Sequence, residues 1–208
     1  MKPSSRLLAP LAMSVLLAGC GGLLRSTAPA EQTFRLRSAL PAVSNVAAIK
    51  TTLQLLPVAV QPGLDTTRIA LVRPGNRLDW YADARWAGPL NDVVTALLAQ
   101  SLRDSGRFAQ VATDAAAMDA DVVLAVTVRR FEAEQSAQGA LPVAQVRLEC
   151  TLSSLTAHQQ LAAFTATAAV PAGANRLTDV VAALEQAAQQ AVAEVVEQAA
   201  VRSAALSR

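Results

Sequence analysis

Val146-Arg147-Leu148-Glu149-Cys150-Thr151-Leu152 alternates apolar and polar residues without a break. Side chains along a β-strand point alternately to opposite faces. The pattern therefore predicts a half-buried strand with Val146, Leu148, Cys150 and Leu152 on its inner face. The strand is expected to run from Val143 to Leu155. On its N-terminal side, Gly139 to Pro142 supplies turn residues. These lead back to a longer run, Asp121 to Glu134, built on Val122, Val123, Leu124, Val126 and Val128. On its C-terminal side, a turn around His158 leads to Leu161–Val170, with Phe164, Ala166, Ala168 and Val170 on one face. Three strands joined by short turns predict an antiparallel meander.

Beyond the meander, residues 177–200 place Leu177, Val180, Val181, Leu184, Ala188, Ala191, Val192, Val195 and Ala199 at helical spacing. Alanine favours helix and allows close packing, so the stripe reads as core, with a coiled coil to another chain as the alternative. Before the meander, Thr33–Arg37 is a short strand and 38–50 a loop containing Pro41. Thr52–Val60 is apolar on both faces, as in a central strand, and Pro57 inside it argues for a bulge or an edge. Ile69–Val72 and Leu78–Tyr81 flank Arg73-Pro74-Gly75-Asn76-Arg77, whose Pro-Gly turn chemistry predicts a hairpin. Gly88-Pro89 then opens a helix carrying Leu90, Val93, Val94, Leu97, Leu98 and Leu102, closed by Gly106 as its C′ residue. Phe108–Val111 is a short strand. The expected fold is α+β: a mainly antiparallel sheet with two helices packed on one face.

The N-terminus has a different character. Met1-Lys2-Pro3-Ser4-Ser5-Arg6 is a short positive segment, and Leu7–Leu17 is an apolar run too short to span a bilayer, which needs ~20 residues. Small residues follow, as in a signal peptide. Leu17-Ala18-Gly19-Cys20 resembles the bacterial lipobox, in which the cysteine sulfur is acylated and the chain is cut just before it. Residues 1–19 are thus expected to leave as signal peptide. Cys20 is expected to be the lipidation site, carrying acyl chains such as palmitate. One chain anchors only marginally, at ~0.8 kcal/mol per buried CH₂, while two or three hold firmly. Residues 20–32 then form a lipidated flexible tether, rich in Gly, Ser, Ala and Pro, and 33–202 the folded domain. By the enteric sorting rule, Gly21 rather than Asp after the cysteine implies the outer membrane, on its periplasmic face.

Without Lys2 and Arg6, the 18 basic residues fall to 16, matching the 16 acidic ones. A net charge of zero gives no support for nucleic-acid binding or for a polybasic lipid contact. A mature chain of about 190 residues is one domain by size and can bury a real core. With Cys20 acylated, Cys150 has no disulfide partner. Its place on the alternating strand makes it a buried thiol rather than a reactive one.

Catalytic signals are weak. His158 is the single histidine, so a His/Cys zinc site of three or four ligands cannot be assembled. A Ser-His-Asp triad around it has no Gly-x-Ser-x-Gly elbow in support. Asp119 and Asp121 are paired carboxylates best read as a solvated loop. No phosphate-binding glycine loop is present. The chain is therefore read as non-enzymatic, with no catalytic, cofactor or metal site, and the weight moves to binding.

One segment stands out: Asn76-Arg77-Leu78-Asp79-Trp80-Tyr81-Ala82-Asp83-Ala84-Arg85-Trp86-Ala87-Gly88-Pro89-Leu90 holds both tryptophans and the single tyrosine, interleaved with arginines. Trp, Tyr and Arg dominate interface hot spots. Arg77, Trp80, Tyr81, Arg85 and Trp86 form a candidate partner surface; the competing reading is that Trp80 and Trp86 fill the core where hairpin meets helix.

These residues also carry a resemblance. The lipobox, Leu55-Leu56-Pro57-Val58-Ala59-Val60, Gly63-Leu64-Asp65-Thr66-Thr67-Arg68-Ile69, Asn76–Tyr81, Ala84-Arg85-Trp86-Ala87 and Pro89-Leu90 together resemble the ABC-type transport auxiliary lipoprotein family, which includes the lipoprotein of the paraquat-inducible system. The match runs roughly over 17–200 and is most specific over 55–110. The resemblance implies an auxiliary, docking component of an MCE/ABC system moving lipids or other hydrophobic molecules between membranes. Its implied partners are an MCE-domain periplasmic protein and the ABC permease and ATPase. It brings no catalytic motif, and it leaves self-association open. The alternatives are a periplasmic carrier that itself holds lipid, or an envelope-assembly lipoprotein unrelated to transport.

Overall fold

The structure, a computed structural model, describes residues 30–39, 48–113 and 119–204. The expected signal peptide, Cys20 and most of the expected tether lie outside the described residues, as does most of the loop expected at 38–50. In chain order the elements are β1 (Gln32–Phe34), β2 (Ile49–Leu55), β3 (Ala59–Val60), β4 (Arg68–Arg73), β5 (Arg77–Trp86), α1 (Leu90–Asp104), β6 (Phe108–Ala112), β7 (Val122–Glu134), β8 (Val143–Ser154), β9 (Gln159–Pro171) and α2 (Leu177–Ala204).

β7 organises the sheet. One of its edges pairs antiparallel with β8 along its whole length, and β8 pairs antiparallel with β9. This is the meander read from the alternation around Cys150. The other edge of β7 takes three strands in succession, all parallel to it. Leu53 of β2 lies opposite Val122, Ala59 of β3 opposite Thr127, and Ala70 of β4 opposite Glu132. β6 adds to β2 and β1 to β5, both again parallel, while β4 and β5 form an antiparallel hairpin. The nine-stranded sheet is therefore mixed, which corrects the expectation of a mainly antiparallel one. Alternation shows which residues face inward; it carries no information on a partner strand about seventy residues away in the chain.

Pro57 marks the interruption between β2 and β3. Leu56 still donates its N–H to Leu124 O at 3.0 Å. Pro57 has no N–H to give, and the N–H of Val58 turns to the Thr95 hydroxyl of α1 at 3.2 Å. Pairing with β7 resumes as Gln61 N–H meets Val128 O at 2.9 Å.

The core lies between the sheet and the helices. Val122, Leu124, Val126 and Val128 face it from β7. An irregularity in the ladder between Val128 and Arg130 resets the alternation, so that Phe131 and Ala133 face it too. Ala144, Val146, Leu148, Cys150 and Leu152 continue the layer on β8. α2 packs across β7, β8 and β9, with Val180, Leu184, Ala187, Ala188, Ala191, Val195 and Ala199 buried. Alanine at so many of these positions lets the helix axis lie close to the strands. α1 buries Val94, Leu97, Leu98 and Leu102 and touches α2. Each fully buried Val or Leu contributes about 1.5–3 kcal/mol. α1 stops at Gly106, whose φ of 60° is the left-handed conformation expected of a C′ glycine.

Asp121 departs from the solvated-loop reading. Its carboxylate accepts the Thr52 N–H at 2.8 Å, its own N–H donates to Thr52 O at 3.0 Å, and its carbonyl accepts the Leu155 N–H at 2.9 Å. It ties β2 to the start of β7 and to the end of β8.

Candidate partner surface

The β4–β5 hairpin turns at Gly75 and Asn76, with φ of 81° and 58°, values that Gly and Asn tolerate best. Arg73 and Arg77 face each other across its end. Arg73 Nε meets Asp79 Oδ2 at 2.6 Å, and Asp79 Oδ1 accepts the Trp80 N–H at 2.9 Å. These two bonds, the arginine's first, hold the Asp79 carboxyl below the usual aspartate range.

Register sorts the aromatic residues onto two faces. Ala70 lies opposite Trp80 on β5 and opposite Glu132 on β7. Trp80 therefore shares the sheet face of Glu132, the one turned away from Phe131 and Ala133. Arg68 is on the same face, its guanidinium carbon 4.9 Å from the Trp80 ring centroid, a cation–π contact. Val72 and Leu78 are cross-strand neighbours there, and Leu78 is 43% exposed. Beside them is a depression of about 490 Å³ lined by Leu64, Val72, Leu78, Arg130, Glu132 and Glu134, among others.

Arg130 organises the polar side of this depression. Its Nε meets Glu132 Oε1 at 2.6 Å and its Nη2 meets Glu134 Oε2 at 2.9 Å. Glu132 is buried, and its second oxygen accepts the Phe131 N–H at 2.8 Å. Burial, the largest single influence, works to lower the Arg130 pKa; the hydrogen bonds to Glu132 and Glu134 and their negative charges together outweigh it, and the net shift is upward.

The five residues expected to form one surface separate. Arg77 is exposed. Trp80 is half-buried on the open face. Tyr81 is half-buried on the core side, its hydroxyl sequestered without a hydrogen-bond partner; burial raises its pKa, with Arg73 opposing. Arg85 is exposed, but it is held by Glu31 at 3.2 Å and by the Thr33 hydroxyl at 3.3 Å. Trp86 is 2% exposed and belongs to the core. The surface read from sequence thus narrows to Arg77 and Trp80, and gains Arg68 and Leu78. Leu78 was within the segment singled out. Arg68 comes into view only through the strand register.

Cys150 is buried on the inner face of β8, as its alternation predicts. Desolvation, with a smaller contribution from Glu194, pushes its thiol up to about 12. His158 sits in the β8–β9 turn with a φ of 51°. Among the described residues, no group of three His, Cys, Asp or Glu side chains is placed to hold a metal ion, and no helix is long and apolar enough to cross a membrane.

The model of the ABC-type transport auxiliary lipoprotein component family matches residues 34–196. The chain belongs to this family. Its match spans every element from the end of β1 into the last third of α2. Among solved structures, the chain is similar to protein XCC0632 from Xanthomonas campestris, of family DUF330. Identity is 26% and the TM-score 0.76, over 85% of this chain and 99% of that one. It is also similar to the hypothetical protein CT253 from Chlamydia trachomatis, at 11% identity and a TM-score of 0.51, over 71% and 96% of the two chains. The second likeness shows fold alone. No curated protein matches the sequence. Membership of the family makes the chain a lipoprotein component auxiliary to ABC-type transport, and brings no catalytic role with it.

Proposed function

We propose that this protein is the outer-membrane-anchored docking component of an MCE/ABC system that moves lipids or other hydrophobic molecules. The family match over residues 34–196 carries the reading. Acyl chains on Cys20 anchor the protein, and Gly21 directs it to the outer membrane with the body in the periplasm. Residues 20–32 reach at most about 45 Å when extended.

The position of β1 supports the arrangement. It pairs with the far end of β5, Gln32 opposite Ala84 and Phe34 opposite Trp86, and Glu31 binds Arg85. The chain thus enters the body at one end of β5 and Arg77 stands at the other; their partners on β4 are Arg68 and Arg73, which puts the two ends roughly 20 Å apart at ~3.3 Å per residue. With the entry end facing the membrane, Arg77, Leu78 and Trp80 are held away from it, towards an MCE-domain partner, and Arg68, opposite Arg85 at the entry end, reaches to the Trp80 ring. Tethering raises the local concentration of the body for such a partner.

The body is less suited to carrying lipid. Ala187, Ala191 and Ala199 of α2 are fully buried in the layer between helix and sheet, where a carrier needs an apolar cavity.

The test is affinity purification of the acylated protein from detergent-solubilised envelopes, with mass spectrometry of bound proteins and lipids. An MCE-domain protein is expected with the wild type and lost with Arg77→Glu/Trp80→Ala. Co-purification of lipid alone, or of an unrelated envelope complex, overturns the docking reading. Cys20→Ser is expected to leave a folded protein that does not complement a deletion; full complementation by it removes the anchor from the mechanism.

A further inference from the structure

The chain that carries the anchor is fastened to the helices at a single residue. Arg37 donates its backbone N–H to Glu185 Oε1 at 3.0 Å and its Nε to the same oxygen at 3.2 Å. Gln189, one turn further along α2, donates its Nε2 to Arg37 O at 2.8 Å. The next residue, Ser38, meets the Ser101 hydroxyl of α1 at 3.2 Å. Upstream, Phe34 O accepts the Ala87 N–H at 2.8 Å and Glu31 pairs with Arg85. Glu31–Ser38 is thus a strap running from β5 to both helices.

Polar bonds hold the strap more than burial does. The Arg37 side chain is 82% exposed in its pair with Glu185. β1 is three residues long, and Phe34 and Leu36 are only half-buried against the core. Packing beside Leu36 is incomplete: a depression of about 330 Å³ is lined there by Arg35, Ala87, Gly88, Val93 and Ala96, among others. Exposed ion pairs contribute little, and elements with few buried contacts open at free energies well below that of global unfolding. The β4–β5 hairpin, β7, β8, β9 and α2 hold one another without the strap.

We propose that Glu31–Ser38 is a latched second section of the tether, released when the anchor is pulled. This rests on the reading of Cys20 as the membrane anchor. Tension loads Glu31 first, then β1, and last Arg37, where both backbone groups of one residue are gripped. Release lengthens the tether from residues 20–32 to 20–38, about 20 Å of added reach, and leaves the core intact. Glu185 and Gln189 stay on α2 as the seat to which Arg37 returns.

The test uses the full acylated chain. Hydrogen exchange in detergent is expected to show Glu31–Ser38 opening while β7 and β8 stay protected. Glu185→Ala/Gln189→Ala should open the strap about tenfold to a hundredfold more often, with β7 and β8 unchanged. Ser38→Cys/Ser101→Cys puts two thiols where the hydroxyls meet and locks the strap with a disulfide; Cys150 is buried and does not compete. The locked protein is expected to retain an MCE-domain partner in detergent, where no reach is needed, yet fail to complement a deletion that either single cysteine variant complements. Strap amides that exchange only together with the core, no acceleration in the double variant, full complementation by the locked protein, or loss of the partner from it in detergent overturns the proposal. A wild type that retains no MCE-domain protein overturns the docking reading instead, and strap exchange and complementation by the locked protein still decide this one.

Discussion

The Trp86 indole meets the Phe131 ring edge-on, with centroids 5.7 Å apart and planes at 81°. This contact joins the end of β5 to the central strand β7, and both side chains are fully buried. Trp86→Ala is therefore expected to cost about 3–5 kcal/mol, as for other large aromatic truncations in cores. Trp80→Ala, on the open face, should cost clearly less. Urea unfolding of the two variants measures the difference, and equal losses would show that Trp80 is as much a core residue as Trp86.

Glu132 is the buried member of the Arg130 network, and truncation strands the Phe131 N–H. Arg130 keeps Glu134 and some contact with water, so the loss should fall near 1–3 kcal/mol rather than the ~3–5 of a fully buried pair. Glu149→Ala removes exposed pairs with Arg129 and Arg147 and should change stability by less than about 1 kcal/mol. Chemical denaturation of both variants tests the ranking.

The Cys150 thiol, pushed up to about 12, should resist thiol reagents at pH 8 in the native protein and react fully in denaturant. Because the folded pKa lies above the ordinary thiol value of 9.0, stability is unaffected below about pH 8.5 and falls as the pH rises towards 12. Cys150→Ala should remove this part of the alkaline loss. Unfolding curves at pH 7 and pH 10 for both forms would reveal it; identical pH dependence would mean that the thiol is not responsible.

Gly106→Ala leaves the contacts around the helix end unobstructed, since a methyl group there meets nothing within 4 Å. The cost is then backbone strain alone, about 1 kcal/mol at φ of 60°. Thermal melting checks this, and no change in melting temperature would mean that the helix end relaxes.

Local chemistry marked the elements well. The alternation around Cys150 located β8, Pro-Gly located the β4–β5 turn, and Gly88-Pro89 and Gly106 bracketed α1. Pairing was not legible, because β2, β3 and β4 find β7 across a long stretch of chain that includes α1. The site was half legible for a related reason. Trp80 and Trp86 are six residues apart and would share a face in a regular strand. The β4–β5 register shifts between Arg68 and Ala70, and Asp83 adopts a φ of 53°. That irregularity sends one indole to the open face and the other into the core. Nothing in the spacing of the aromatic residues signals it.

The succession of β2, β3 and β4 along one edge of β7 constrains how the chain can fold. As the polypeptide emerges N-terminus first, all three strands exist before their shared template does. They must remain unpaired on that side until Val122–Glu134 has followed. Closing such long loops before any pairing is gained makes folding slow, and chains truncated before Glu134 lack the strand that gathers the first half. Until then the apolar residues of β2 and β4 are exposed to solvent, and a holding chaperone would find its target there.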